Sequence, residues 1–113
     1  MNGRRALGRG GEDAACAYLE RLGYRIVGRN VRCGRGEIDA IARDGETLVF
    51  VEVKARSTRS HGSAVSAVDA RKRKQLRALA EDFLQFAPAG TKMRFDVLAI
   101  DGERIVHFRG AFQ

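Results

Sequence analysis

Gly36-Glu37-Ile38-Asp39-Ala40-Ile41-Ala42-Arg43-Asp44-Gly45-Glu46-Thr47-Leu48-Val49-Phe50-Val51-Glu52-Val53-Lys54 is the stretch that decides the fold. Residues 37–43 and 46–54 each alternate with period two, and Asp-Gly between two such runs predicts a β-hairpin with a two-residue type I′ turn at Asp44-Gly45. In that register Arg43 pairs with Glu46, Ile41 with Leu48, Asp39 with Phe50 and Glu37 with Glu52. Glu37, Asp39, Glu52 and Lys54 then project from one side, with Asp39 and Glu52 as diagonal neighbours. The other side carries Ile38, Ala40, Ala42, Val49, Val51 and Val53. A one-residue change in the loop would put the two carboxylate sets on opposite faces.

Three carboxylates on one half-buried face repel one another, and burial adds to the cost of ionising them. Lys54 supplies one positive charge against three negative. The shortfall points to a divalent cation, and oxygen ligands from carboxylates and a backbone carbonyl suit Mg²⁺ or Mn²⁺. Beside such an ion Lys54 can orient or deprotonate a water, or stabilise charge on a phosphate, which is the equipment for in-line phosphodiester hydrolysis. The alternative is a set of surface strand residues salt-bridged to nearby arginines.

Outward from the hairpin, residues 4–22 read as a helix. Leu7, Gly11, Ala14, Ala15, Tyr18, Leu19 and Leu22 make one apolar stripe, and Gly23 stops it. Glu12 falls on the flank of the stripe, where it either points toward the edge of a sheet or is solvated. Residues 24–31 read as a strand, with Gly28 marking a bend or bulge. Residues 55–66 form a basic loop carrying Arg56, Arg59 and His61. A second helix spans 69–87, with Ser66 or Asp69 as N-cap and Leu76, Leu79, Ala80, Phe83, Leu84 and Ala87 as its stripe. Its first two turns carry Arg71, Lys72, Arg73, Lys74 and Arg77, at the end of the helix dipole that disfavours cations, a placement that suits phosphate contact. The alternative for these residues is a solvated basic face.

Residues 93–100 and 104–108 read as strands joined by a turn at Asp101-Gly102, with Ala111 and Phe112 returning to the core. Asp96 is expected to pair with Arg94 or with an arginine across the sheet, and His107 to be a packed or hydrogen-bonded strand residue rather than a catalyst. The order of elements calls for a mixed β-sheet flanked by α-helices in an α/β (α+β) domain.

The chain has 113 residues, 44% of them hydrophobic and 31% charged, which fits a single domain over 1–113 with one core. No apolar run approaches the length of a bilayer span, and the first residues lack the apolar region of a secretion signal, so the expected location is cytoplasmic, away from membranes. Cys16 and Cys33 lack the spacing of a zinc site and are expected to be reduced. A net charge of +7 favours an anionic partner, nucleic acid first.

Asp39 followed by Glu52-Val53-Lys54 resembles the D…(D/E)-x-K signature of restriction-endonuclease-like nucleases, and Glu12 is similar to the helical glutamate of Holliday-junction resolvases in that superfamily. From end to end the chain resembles the small bacterial YraN-like family, largely uncharacterised and carrying an endonuclease label. The likeness is carried by Gly8-Arg9-Gly10-Gly11-Glu12 with Ala15 and Tyr18-Leu19, Gly23-Tyr24, Arg29-Asn30, Gly36-Glu37-Ile38-Asp39, residues 48–54, Lys74-Gln75, Arg94-Phe95-Asp96-Val97 and Ala111-Phe112. The resemblance implies a restriction-endonuclease-like fold and a metal-dependent nuclease acting on DNA, branched or structured DNA included. It implies metal ligation by Asp39, Glu52 and the Val53 carbonyl, with Glu12 completing the shell directly or through water, and Lys54 acting on the nucleophilic water. Gln75 resembles a glutamine that some superfamily members place near the site; with Glu37 it is expected to support the site, and the placement of Arg56, Arg59, Arg71, Lys72 and Lys74 leads us to expect contact with nucleic acid. Leu79 stands where an aromatic usually follows the glutamine, and Ile38 where many superfamily members have proline. A non-catalytic nucleic-acid-binding module and a protein-interaction subunit are the competing readings. A two-fold homodimer suits a nuclease that must meet two strands.

Overall fold

The computed structural model describes residues 3–33, 36–55 and 68–113, with side chains from Gly11 onward except that of Cys33. The basic loop expected over 55–66, with Arg56, Arg59 and His61, lies outside the described residues apart from Ala55. Helix α1 (Gly3–Arg21) is followed by strands β1 (Arg25–Cys33), β2 (Gly36–Asp44) and β3 (Thr47–Ala55), helix α2 (Ala70–Leu84), and strands β4 (Lys92–Asp101) and β5 (Arg104–Phe112). The strands form one sheet in the order β1-β2-β3-β4-β5. Only β3 and β4 run parallel; the other neighbours are antiparallel. A parallel pair needs a long crossover, and α2 lies within it. The result is the mixed sheet expected from the sequence, compatible with a restriction-endonuclease-like fold.

The expected caps are present. Tyr24 N–H donates to Leu19 O at 3.0 Å and Gly23 N–H to Glu20 O at 2.9 Å, with Gly23 at φ +92°, the Schellman arrangement that ends α1. At the start of α2 the Asp69 carboxylate accepts from Lys72 N–H at 2.9 Å, so Asp69 is the N-cap.

The sheet is covered on both faces. Ile41, Leu48, Phe50, Phe95 and Val97 pack with Leu76, Leu79 and Ala80 of α2, whereas Ala40, Ala42, Val49, Val51 and Leu98 pack with Ala15, Cys16 and Leu19 of α1. Strand β3 is therefore buried on both sides, which explains its nearly unbroken apolar run. Phe112 stacks on Phe95 at a centroid distance of 4.8 Å and anchors the chain end, as expected.

Both turns lie one residue later than expected, and the first hairpin differs in register as well. Asp44 pairs with Thr47 and Asp101 with Arg104, so the turn residues are Gly45-Glu46 and Gly102-Glu103. Gly45 and Gly102 have φ of +61° and +60°, while neither glutamate has positive φ. A type I′ turn needs positive φ at both central residues; glycine alone at the first is the pattern of a type II′ turn. Asp44 thus ends a strand, where it accepts from Arg94 Nη1 at 2.8 Å. The register moves by two residues, which leaves the paired residues 40–44 and 47–51 on the faces the sequence assigned to them, whereas Ile38, beyond the ladder, changes face.

The β2–β3 ladder runs from Asp44↔Thr47 to Ala40↔Val51. Beyond that point β2 stays with β1 through Val31↔Ile38 and Arg32↔Glu37, and β3 stays with β4 through Glu52↔Val97 to Ala55↔Ile100. Alternation in β2 breaks at the same place: Ile38 joins the α2-side cluster with Val31, although Ala40 and Ala42 face α1. Asn30, level with Asp39, has φ +50°.

A buried polar network ties the opposite end together. Asp96 is 0% exposed and accepts from Arg94 Nε at 2.9 Å and Gly110 N–H at 3.0 Å. His107 Nε2 lies 2.7 Å from Asp96 Oδ2, and His107 Nδ1 lies 3.2 Å from the Tyr18 hydroxyl. A carboxylate only accepts, so Nε2 carries the proton toward Asp96, and Nδ1 shares a hydrogen bond with the Tyr18 hydroxyl. Burial raises the Asp96 pKa, but the bonds from His107, Arg94 and Gly110 outweigh it and hold the group below its usual value. Asp96→Ala should cost about 1–3 kcal/mol, because His107 and the Gly110 N–H lose their acceptor and the part-buried Arg94 keeps only Asp44 and Tyr24. A fall in the urea midpoint at unchanged m-value checks this, and an unaltered midpoint would remove the network from the account of stability.

Candidate metal centre

The parting of β2 from β3 brings Asp39 and Glu52 together. Glu52 is only 4% exposed, and its carboxyl lies within hydrogen-bonding reach of Asp39. Asp39 Oδ2 accepts from Val53 N–H at 2.7 Å, in the place where a strand partner's carbonyl would otherwise serve. Lys54 Nζ lies 3.9 Å from Glu52 Oε2. Lys72 Nζ reaches the same oxygen at 3.4 Å from the first turn of α2, and also donates to the Glu37 carbonyl at 3.3 Å. Two carboxyl groups and two ammonium groups therefore meet at the carboxyl end of β3 and the N-terminus of α2. In parallel α/β units this is where ligands bind.

Burial pushes the Glu52 pKa up to about 8; the hydrogen bond and charge of Asp39 add to the rise, and Lys72 and Lys54 oppose it. A hard cation near a buried carboxyl offsets the cost of ionising it. The donors are all oxygen, so the pair fits Mg²⁺ or Mn²⁺ rather than a thiophilic metal.

The remaining candidates are distributed as follows. Glu37 sends its carboxylate toward Arg32, 3.4 Å away, and contributes its backbone carbonyl to Lys72. Glu12 is half-buried on α1, where its charge acts on Arg29 and Cys16; Asp13 next to it pairs with Arg29. Among the described residues no three His, Cys, Asp or Glu side chains gather closely enough to hold a metal. The acid set brought together is thus Asp39 with Glu52.

The basic start of α2 divides by role. Arg71 and Lys74 are exposed. Arg73 Nε donates to Val68 O at 2.8 Å and its guanidinium lies 5.3 Å from the Phe112 ring centroid, while Arg77 donates to Gln113 O at 2.7 Å. Arg73 and Arg77 therefore hold the chain end, and Lys72 faces the carboxyl pair. Gln75 is half-buried three residues after Lys72, on the same side of the helix. Sequence reading assigned Lys72 to nucleic acid and missed its contact with Glu52. The available clue is that 72, 76, 79, 80 and 83 continue one helical stripe, so a lysine at its head faces the sheet.

Comparison with known proteins adds a family and no activity. Residues 11–100 match the model of a family described as "Uncharacterised protein family UPF0102". The chain is similar to a UPF0102 protein of Frankia casuarinae, 46% identical over 99% of this chain and 100% of the relative. It is also similar to one of Geobacter sulfurreducens, 49% identical over 95% of this chain and 88% of the relative. A third, from Pelotomaculum thermopropionicum, is 45% identical over 96% and 97% of the two chains.

The raised Glu52 pKa has a consequence for stability. Its ordinary value is 4.5 and its folded value about 8. Between them the folded protein holds a proton the unfolded chain has released, so stability falls as pH rises through this window and levels off above it. In metal-free buffer the urea midpoint of the wild type should decline from about pH 4.5 to about pH 8 more steeply than that of Glu52→Gln. Parallel pH profiles for the two proteins would contradict the assignment.

Proposed function

The chain belongs to the uncharacterised protein family UPF0102, and from that premise we propose that it is a divalent-metal-dependent nuclease hydrolysing phosphodiester bonds in DNA, branched or otherwise structured DNA included. The observation that carries the proposal is the convergence of Asp39, Glu52, Lys54 and Lys72 where β2 parts from β3. Asp39 and Glu52, with the Val53 carbonyl, would hold Mg²⁺ or Mn²⁺, an ion that neutralises phosphate charge and acidifies water.

The chain's own residues supply the rest. Lys54 orients the attacking water and takes up or returns its proton. Glu12 acts from α1 as an outer contributor through water, and Gln75 supports the site from α2. Arg71 and Lys74, exposed at the positive end of the α2 dipole, bind backbone phosphates, with Arg56 and Arg59 in the segment that follows β3. A cytoplasmic location and a two-fold dimer accompany this reading. Among the described residues no helix is long and apolar enough to cross a membrane.

The second reading, a module that binds nucleic acid without cutting it, is favoured by the lack of a third gathered acid among the described residues. The two separate cleanly. Single-stranded, duplex, flapped and four-way-junction DNA should be tested with Mg²⁺ or Mn²⁺. Wild type should cut at least one of these, and Asp39→Asn and Lys54→Ala should each lose about 100-fold or more in rate while keeping DNA affinity within about threefold. Equal behaviour of wild type and Asp39→Asn on every substrate would sink the nuclease reading. Salt-sensitive binding lost in an Arg71→Ala, Lys74→Ala protein, without cleavage by wild type, would establish the binding module instead.

A further inference from the structure

Lys54 and Lys72 approach the same oxygen, Glu52 Oε2, from different elements. Lys54 lies two residues along the strand, on the reacting side. Lys72 comes from the helix, and its position is fixed by its own N–H, which donates to the Asp69 carboxylate at 2.9 Å. A lysine in the first turn of a helix stands against the dipole. Here the cost is offset because the ammonium finds Glu52 at 3.4 Å and the Glu37 carbonyl at 3.3 Å. These two acceptors sit on separated strands, so Lys72 spans the opening between β2 and β3 as well as balancing the buried acid.

A divalent cation ligated by Glu52 must stand within about 2.0–2.2 Å of a carboxylate oxygen. An ammonium held against that carboxylate repels it and occupies part of the oxygen's coordination space. The Glu37 carbonyl offers Lys72 a partner that the cation does not claim, so the side chain can give up Glu52 without losing its only acceptor. Its four-carbon stem then carries the charge to the mouth of the opening, beside exposed Arg71 and Lys74.

We propose that Lys72 is a displaceable counter-ion: its ammonium competes with the divalent cation for Glu52 and, once displaced, engages a phosphate of the substrate, so that metal binding and DNA binding reinforce each other. The proposal rests on the metal-dependent nuclease reading and adds to it a positioning residue with a defined second task.

Metal binding without catalysis provides the test. Mn²⁺ is titrated into the full chain and free Mn²⁺ is followed by electron paramagnetic resonance for wild type, Glu52→Gln, Lys72→Met, Lys72→Gln and Lys72→Arg, each checked for folding by circular dichroism. Lys72→Met and Lys72→Gln should bind Mn²⁺ about 3- to 10-fold more tightly than wild type, and Lys72→Arg, which keeps the charge, should stay within about twofold. In fluorescence anisotropy with labelled junction DNA, the gain in affinity on replacing EDTA by Ca²⁺ should be smaller in Lys72→Met than in wild type.

If wild type binds Mn²⁺, Glu52→Gln does not, and Lys72→Met binds no better than wild type, the competition is overturned while the metal site stands. Tighter Mn²⁺ binding with an undiminished Ca²⁺ gain overturns the delivery to phosphate. Silence from wild type and both neutral variants overturns the metal-dependent reading itself, and this proposal with it.

Discussion

The hydrogen bond from Val53 N–H to Asp39 Oδ2 is the interaction on which the site depends. A ladder that stops in mid-sheet leaves backbone groups without partners, and an unmet buried N–H costs about 1–3 kcal/mol. Asp39 removes that cost with its side chain. The strands can then separate after Ala40 and Val51, and the carboxylate that ends the pairing stays beside Glu52. One residue closes the ladder and opens the cleft.

Two acids among the described residues are buried, and the sheet treats them in opposite ways. Asp96 is surrounded by donors: Arg94, His107 and the Gly110 N–H hold it ionised below its usual pKa. Glu52 faces another carboxyl, and two ammonium groups at 3.4 and 3.9 Å do not overcome burial and repulsion. Burial alone therefore does not distinguish structural from reactive acids. The balance of donors does, and perturbation toward the neutral form at an opening marks a functional candidate. Asp96 lies where Arg94, Tyr18 and the strand-end residue Asp44 are tied together, a place for holding strands rather than for binding.

Most of the fold was legible because hydrophobic periodicity and capping are local. The Gly23 stop, the Asp69 cap and the stripes of both helices follow from a few residues each. The hairpin register was misread, because Asp-Gly also begins a turn in which glycine is the first central residue and aspartate still belongs to the strand. The error was two residues, and since side chains alternate with period two it changed neighbours without changing faces within the paired residues 40–44 and 47–51. Asp39 and Glu52 came out as a pair for that reason. The pairing of Asp39 with the Val53 N–H was not legible, since it arises only where a ladder ends. Nor was the commitment of Arg73 and Arg77 to Val68 and Gln113, contacts that depend on where the last strand returns.

The two walls of the cleft differ in how firmly they are held. Glu52, Val53 and Lys54 sit on β3, which keeps its parallel pairing with β4 through Ala55↔Ile100. Strand β4 is in turn paired with β5. The Asp39 wall is β2 paired with β1, and β1 is the edge strand of the sheet. That edge contains a register shift between Ile26 and Gly28 and the left-handed Asn30 level with Asp39. Irregular pairing at an edge deforms at lower cost than the regular pairing that ties β3 to β4, a strand bonded on both sides. The Asp39 wall is therefore tied to the less regular half of the sheet, and the Glu52–Lys54 wall to the more regular half.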